Sequence, residues 1–227
     1  GLFSFISTFL LTSRSPSIFG WTREMFFAMT ATYAIFIGIF HGCFSTNFGR
    51  LATIIHLGQL DPYLLKPIDA QFFVSVRYIS FVHISRVVMG IVVLAYLFSR
   101  HFIQVSFLDV MVYFLLIGIS LVLLYSIWLL VLTTTIWFTR LSNLVEVMYT
   151  VSSIGGRMPK AAFEAVGIVL ATILLPLILI INTPTEQILK RPFGIDIIWL
   201  ILLTIIFFVS ARKFWQFALR HYCSASS

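Results

Sequence analysis

Charged residues are scarce in this sequence. Only 10% of its 227 residues are Asp, Glu, Lys or Arg, whereas 60% are hydrophobic. In a soluble domain about a quarter of the residues are charged. So few charges cannot cover the surface of a water-soluble fold of this size, but a surface that faces lipid needs no such cover. The composition therefore excludes a soluble globular domain and predicts that most of the chain lies in a membrane.

The sequence motifs of catalysis are also missing. There is no glycine-rich nucleotide loop, no His or Cys cluster at metal-binding spacing, and no carboxylate pair placed for acid–base catalysis. Gly155-Gly156 lacks the Lys-Ser/Thr of a phosphate loop, and the two cysteines, Cys43 and Cys223, do not suggest a structural disulfide. We therefore expect no catalytic residue, metal or cofactor in this chain. Work that needs energy would draw on another chain.

Long apolar runs are what the sequence does contain. They do not alternate with polar residues as the strands of an outer-membrane barrel do, so they predict helices. We expect an all-α, polytopic membrane helix bundle that forms a single domain over residues 1–227, with about six transmembrane helices. The first is incomplete, because the opening run is too short to span a bilayer. The predicted spans are 1–12, 25–44, 72–98, 110–138, 161–181 (with a kink at Pro176) and 195–210.

The polar stretch 45–70 separates the second and third spans. In its first half, apolar residues recur at helical spacing, which predicts an amphipathic helix along or near the membrane surface. Asp61-Pro62 and Lys66-Pro67 then break that helix. Such a helix is either a docking site for a soluble partner or a plain connector, and amphipathicity alone does not decide between them. The apolar positions are Phe48, Leu51, Ile54 and Ile55.

The distribution of basic residues predicts the orientation of the chain. The net charge is +7, but the 15 Lys and Arg form no patch and are spread between apolar runs, which does not favour nucleic-acid binding. Ten of them lie in or beside 45–77, 140–160 and 211–227, with Arg86 counted on that side. Cytoplasmic loops of membrane proteins carry the excess of Lys and Arg. We therefore expect the amphipathic segment and the C-terminal tail, 211–227, to be cytoplasmic.

Two polar residues interrupt the third predicted span. Arg86 lies about fourteen residues into it, and His83 lies one turn earlier on the same face. Because a charged residue at membrane depth is costly unless it meets water or a partner, the pair could mark an ion or substrate pathway. Alternatively, the helix begins later and both side chains reach the interface. The first interpretation allows a self-contained secondary transporter or channel. Glu164, near a helix start, suits the helix dipole.

Three short segments resemble one family of transport proteins. Residues 58–67, followed by Phe72, are similar to the GxLDxYLLKP segment of type 2 ABC transporter permeases, in particular the small six-helix bacterial export permeases that work with a separate ATPase. Residues 215–226 resemble the closing run of that family, with His221 and Cys223 at two departures, and Pro184-Thr185-Glu186 resembles its Pro-x-Glu element. The resemblance covers nearly the whole chain, except that the first span is incomplete.

The resemblance implies a transport subunit, not an enzyme. It implies export of a hydrophobic or amphiphilic substrate, ATP and Mg²⁺ bound in a partner ABC ATPase, a second identical or related permease, and a bacterial cytoplasmic membrane. Segment 45–60 would be the coupling helix, and 182–192 an extracytoplasmic hairpin of short re-entrant helices. The residues implied at the ATPase contact are Arg50, His56, Gly58, Asp61, Tyr63, Lys66 and Pro67, and the pathway candidates are His83, Arg86 and Glu186.

Overall fold

The protein is almost entirely helical. The computed structural model describes residues 2–13, 17–57, 60–100, 102, 105–137, 144–154, 159–164, 168–191 and 194–221. Within these ranges there is no β-strand, and the one non-helical pairing is an isolated bridge between Ile18 and Trp21. The predicted all-α class is confirmed.

Eleven α-helices and three short helical segments of other types make up the described chain. The π-helical segment His41–Ser45 joins α2 to α3, and 3₁₀ turns at Phe81–His83 and Thr134–Ile136 flank α6 and α7. The α-helices are α1 (Leu2–Thr12), α2 (Arg23–Phe40), α3 (Thr46–His56), α4 (Asp61–Leu64), α5 (Ala70–Val76), α6 (Ile84–Ser99), α7 (Phe107–Thr133), α8 (Leu144–Ile154), α9 (Lys160–Glu164), α10 (Ile168–Ile188) and α11 (Gly194–Arg220).

Four helical stretches in the described residues are long and apolar enough to cross a bilayer. They are Arg23–Ile55, Phe81–Ser99, Phe107–Ile136 and Gly194–Arg220. Leu174–Ile188, the C-terminal part of α10, is a shorter apolar stretch. The protein is thus a polytopic membrane helix bundle, as expected. The 33-residue stretch Arg23–Ile55 is about 50 Å long at 1.5 Å per residue. Since this exceeds the hydrocarbon thickness of about 30 Å, the stretch has length to spare beyond one crossing.

Helix α7 lies at the centre of the bundle. It packs mainly against α10 and α11, while α2 packs mainly against α6. Trp128 of α7 is fully buried between Phe40 and Phe48, and its indole nitrogen donates to Ser152 Oγ at 3.0 Å. This aromatic cluster ties the middle of α7 to the helical run α2–α3 and to α8.

The prediction that residues 72–98 form one helix is wrong. Residues 77–80 are not helical and separate α5 from α6. The side chain of Asn47 accepts a hydrogen bond from Tyr78 N at 2.9 Å and donates to Tyr78 O at 2.8 Å, and Ser80 N donates to Gly42 O at 2.8 Å. Gly42 lies in the π-helical segment. Hydrogen bonds from a distant part of the chain therefore replace those that a continuous helix would make.

The fifth predicted span, 161–181, also has different bounds. Helix α10 is described from Ile168 and continues through Pro184 to Ile188, into the segment expected to form a hairpin. Its polar C-terminal residues are buried, and two of them bond to carbonyls one turn back: Asn182 Nδ2 to Ile178 O at 3.0 Å and Thr185 Oγ1 to Ile181 O at 2.7 Å. Polar side chains satisfied in this way remain inside a helix bundle.

Lys160 lies at the other end of the bundle from the side on which the orientation count placed it. Its amine pairs with Asp196 at 2.8 Å, and its backbone N donates to Asn182 Oδ1 at 2.9 Å. Asp196 is in the first turn of α11, and Arg212 lies about 24 Å further along that helix at 1.5 Å per residue. Lys160 therefore lies at the end of the bundle where α11 begins, and the excess of Lys and Arg on the expected cytoplasmic side is smaller than the sequence count gave.

Candidate functional site

Helix α3 is the amphipathic helix expected from the sequence, but its apolar face packs on protein. Phe48, Leu51 and Ile55 are buried, and α3 contacts α5, α7 and α8. The helix continues from α2 through the π-helical segment without interruption. Its opposite face, with Arg50 and Thr53, is exposed. The apolar stripe thus fixes α3 to the bundle and leaves a polar face open.

A cavity of about 530 Å³ opens on that polar face, between α3, α4 and α5. Two guanidinium groups line it, each beside a tyrosine. The Arg50 guanidinium lies 3.8 Å from the ring centroid of Tyr78, and Arg77 Nη1 donates to Tyr63 OH at 3.0 Å. We call this cavity the arginine pocket, and define it by Arg50, Tyr63, Arg77 and Tyr78.

The two guanidiniums of the arginine pocket have aromatic neighbours and no carboxylate close by. No Asp or Glu of the described residues lies within 4.0 Å of either one. Stacking on an aromatic face holds a guanidinium in place without neutralising it. Lys66 adds a third positive charge nearby, 4.2 Å from the ring centroid of Phe73, which Arg77 also contacts at 5.5 Å. The pocket is therefore electropositive and its cations are already oriented.

An ion pair joins the N-terminal end of α5 to α11. Asp69 is the N-cap of α5 and accepts a hydrogen bond from Phe72 N at 3.0 Å. Arg212 of α11 pairs with the same carboxylate, donating from Nη1 to Asp69 Oδ1 at 3.0 Å. The hydrogen bond from Arg212 holds the pKa of Asp69 below its ordinary value. The stabilisation that this ion pair gives to the fold is complete above the ordinary pKa of an aspartate. It is lost only as the pH falls through the lowered pKa of Asp69.

Further hydrogen bonds extend this ion pair to α7. Arg212 Nη1 donates to Gln71 Oε1 at 2.9 Å, and Gln71 Nε2 donates to Tyr125 OH at 3.0 Å. Ser75 Oγ lies 2.9 Å from the same hydroxyl. We call Asp69, Gln71, Ser75, Tyr125 and Arg212 the Arg212 network. It joins three helices at the point where the polar segment re-enters the bundle.

A second cavity, of about 660 Å³, begins at the Arg212 network. Its walls come from the end of α2, the π-helical segment, α5, α7 and α11, and most of the lining is apolar. Asp69 and Arg212 stand at its polar part. We call it the apolar groove, and its apolar lining includes Ile39, Phe44, Phe72, Leu121, Val122 and Phe208.

His83 and Arg86 do not lie deep within a helix. His83 is the N-cap of α6, and Arg86 is in its first turn, so the helix begins later than 72–98 implies. The later helix start agrees with the second of the two interpretations drawn from the sequence, and the position of both side chains at the membrane interface stays a prediction. His41 Nδ1 lies 3.4 Å from Arg86 Nη1, and the His41 ring contacts those of His83 and Tyr149 at centroid distances of 5.2 and 5.0 Å. The pair thus lies at a helix start, among aromatic rings.

Glu186 lies at the opposite end of the bundle from the Arg212 network. It is in the last turn of α10, close to Lys190, which pairs with Asp109 of α7 at 3.2 Å. Gln187 Nε2 also donates to Asp109 O at 3.2 Å, so this end of α10 is fixed to the start of α7. Arg191, which follows this end of α10, contacts Gly20 before the start of α2, whereas His83 and Arg86 lie beside His41 at the other end of α2.

The residues expected at the partner contact fall on α3, α4 and the turn after α4. Arg50 and Tyr63 meet in the arginine pocket, Asp61 begins α4, and Lys66 and Pro67 follow it. His56 is the last residue of α3; its side chain and the whole of Gly58 lie outside the described residues, as does the side chain of Glu164. In the part of the chain that the structure covers, no group of three or more His, Cys, Asp or Glu could hold a metal ion.

Comparison with known proteins identifies one family. A protein-family model described as ABC-2 family transporter protein matches residues 2–226, nearly the whole chain. No curated protein and no solved structure matches the chain. The family match confirms the resemblance drawn from residues 58–67, 184–186 and 215–226.

Proposed function

Because this chain belongs to the ABC-2 family of transporter proteins, and is thus a multi-pass membrane permease component of an ABC transporter, we propose that it couples ATP hydrolysis in a partner subunit to export of a hydrophobic or amphiphilic substrate. Membership of this family implies association with an ABC ATPase subunit. In this proposal ATP and Mg²⁺ bind in the partner, and this chain contributes no catalytic residue. A second identical or related permease completes the membrane part.

The position of the arginine pocket carries the proposal. The pocket lies on the C-terminal part of the helical run Arg23–Ile55, which is longer than a bilayer crossing requires. Hydrogen bonds connect the same segment to the spanning helices: Asn47 binds the backbone before α6, and the Arg212 network reaches α7 and α11. A force applied at α3 or α4 therefore has a direct route into three spanning helices.

The mechanism follows from these connections. Closure of the ATPase on ATP displaces α3 and α4, and the turn after α4, from Leu65 to Pro67, passes the displacement to α5. Because Asp69 is held by Arg212 and Gln71 is held by Tyr125, α5 cannot move without α7 and α11. Those two helices form walls of the apolar groove. Their movement changes the width of the groove and releases its occupant.

The apolar groove supports the substrate class. A cavity with an apolar lining and a polar part at Asp69 and Arg212 suits a molecule with an apolar body and a polar group. We place the arginine pocket and the C-terminus in the cytoplasm of a bacterium, with the chain in its cytoplasmic membrane, because the excess of Lys and Arg is on that side. Segment 182–192 and Glu186 then face the outer side, where they close the pathway.

Co-purification tests the proposed function. Solubilise native membranes in mild detergent, isolate the permease and assay the sample for ATP hydrolysis. We expect an ATP-hydrolysing subunit to co-purify, and reconstituted vesicles to transport an amphiphilic dye only with ATP. A permease that purifies alone and moves solute without ATP would instead be a secondary transporter or channel.

Filling the apolar groove should block transport without harming the fold. A Cβ added at Gly118 of α7 meets no described atom within 4 Å, so a Gly118→Trp side chain has room to enter the groove. We expect ATP-driven dye transport to fall more than about tenfold, because the indole occupies the apolar volume. Gly194→Trp is the matched control, since Gly194 is equally open but does not line the groove. Equal transport by the two variants would exclude the groove from the pathway.

A further inference from the structure

Arg50 and Arg77 differ from the basic residues that form ion pairs in the described chain. Arg212, Lys190 and Lys160 each lie against a carboxylate, of Asp69, Asp109 and Asp196 respectively. Arg50 and Arg77 instead face one cavity and lie against aromatic rings, those of Tyr63, Phe73 and Tyr78. Two like charges that share a concave site raise the local potential, and an anion that enters it relieves their repulsion. The arginine pocket is thus suited to an anionic group from outside the chain.

The pocket fixes the geometry with which that anion is bound. The Tyr63 hydroxyl accepts from Arg77, and the ring of Tyr78 lies under Arg50 at 3.8 Å and near Arg77 at 5.0 Å. A guanidinium whose orientation is fixed in advance loses little side-chain entropy on forming two parallel hydrogen bonds to a carboxylate. At about 530 Å³ the cavity exceeds what one small ion requires, and it has room for a side chain with its neighbours.

The surroundings of the pocket favour a protein partner. Leu57, which lines the pocket, is 53% exposed, and Leu65 beside α4 is 86% exposed. Arg and Tyr are the residues enriched at the energetic centre of protein–protein interfaces, and exposed apolar side chains beside them add surface that a partner can cover. We infer that the arginine pocket receives an acidic side chain of the ATPase subunit, held between Arg50 and Arg77. This inference rests on the proposed function and adds the chemistry of the contact.

Charge reversal tests the inference in the intact complex. Express Arg50→Glu and Arg77→Glu, singly and together, and measure the ATPase that co-purifies per permease at several salt concentrations. We expect each reversal to reduce retention more than about tenfold, as loss of a central Arg does at interfaces. Lys213→Glu is the control for net charge, since Lys213 is exposed on α11 and does not line the pocket. Gly49→Trp should have the same effect without a charge change, because Gly49 lines the pocket and is open.

A covalent trap identifies the occupant directly. Arg77→Lys puts a primary amine in the pocket, and a carbodiimide then joins that amine to a carboxylate in contact with it, with loss of water. We expect an amide between residue 77 and an Asp or Glu of the ATPase, found by mass spectrometry, and none when Arg50→Glu is added. If the reversals and Gly49→Trp leave ATPase retention and the cross-link unchanged, the inference is wrong while the proposed function stands.

Three other outcomes would also overturn it. If the pocket variants lose bound anionic phospholipid but keep the ATPase, the pocket is a lipid headgroup site. If no ATPase accompanies even the wild-type permease, the proposed function fails, and this inference fails with it. Retention that falls equally for Lys213→Glu would show that general charge, and not the pocket, attracts the partner.

Discussion

We expect Gly90→Ala to destabilise the bundle more than an alanine substitution at any other described glycine. A Cβ at Gly90 of α6 would lie 2.7 Å from the carbonyl oxygen of Ala31 and 2.6 Å from Ile35 Cγ1 on α2. The backbone oxygen cannot rotate away, so α2 and α6 must separate along their closest contact. Overpacking of this kind costs about 1–3 kcal/mol. Small residues at such contacts let membrane helices approach closely.

The free energy of unfolding and the melting temperature in detergent measure this effect. We expect a fall of about 2–4 °C per kcal/mol for a chain of this size. Gly38→Ala should cost less, because the nearest backbone atoms to its Cβ would lie at 3.2 Å and only the Val87 side chain, at 2.7 Å, is closer. Gly118→Ala is the control, and a methyl there should be neutral or stabilising. A Gly90→Ala protein as stable as Gly118→Ala would contradict the close α2–α6 contact.

Separating Asp69 from Arg212 should uncouple ATP hydrolysis from transport. In Arg212→Gln, α11 loses its ion pair with the N-cap of α5, and the bond to Gln71 Oε1 is lost with it. Movement of α5 then no longer drives α11. We expect dye transport to fall several-fold. An ion pair as exposed as this one contributes about 1 kcal/mol or less, but it is the direct link between α5 and α11. ATP hydrolysis should continue, because the arginine pocket is intact.

The neighbouring residue provides the matched control for this variant. Lys213→Gln removes the same charge from an exposed position on the same helix, and it should transport as the wild type does. Asp69→Asn should reproduce the defect, and the exchange Asp69→Arg with Arg212→Asp should restore part of the transport. Normal transport by Arg212→Gln, or an equal loss of ATP hydrolysis and transport, would refute a linking role for the network.

The spanning helices could be predicted where apolar composition alone decides. Helices α7 and α11 lie within a few residues of the predicted spans 110–138 and 195–210, although α11 extends to Arg220. In lipid every backbone polar group must be satisfied within the helix, so a long apolar run leaves one local solution. The spacing of Phe48, Leu51 and Ile55 likewise indicated α3 correctly, because helical periodicity is a local property.

The break at 77–80 could not be predicted, because its hydrogen bonds come from elsewhere in the chain. Asn47 and Gly42 lie more than thirty residues before Tyr78 and Ser80, and nothing in residues 72–98 indicates a non-helical segment. The same applies to α10, whose polar end is buried only because α7 and α2 pack beside it. In both places tertiary contacts, and not the local sequence, determine the structure.

The candidate site was predictable only in part. Arg50 and Tyr63 were expected at a partner contact, but Arg77, Tyr78 and Asn47, which complete the arginine pocket, were not. The sequence did contain one indication. Arg77 and Tyr78, a cation next to an aromatic residue, directly follow α5, and such a pair is typical of a protein interface. Arg212 had no such signal, because its partner Asp69 is 143 residues away.

Reconstitution tests the central claim most directly, namely that this permease moves its substrate only when an ATPase acts on α3 and α4. Permease alone, and permease with its co-purified ATPase, are placed in vesicles, and the movement of a fluorescent amphiphile is followed with and without ATP. The account predicts transport only when ATPase and ATP are both present, and reduced transport per ATP hydrolysed by Arg212→Gln vesicles. Transport by the permease alone, driven by an ion gradient and lost on changing Arg86, would contradict it.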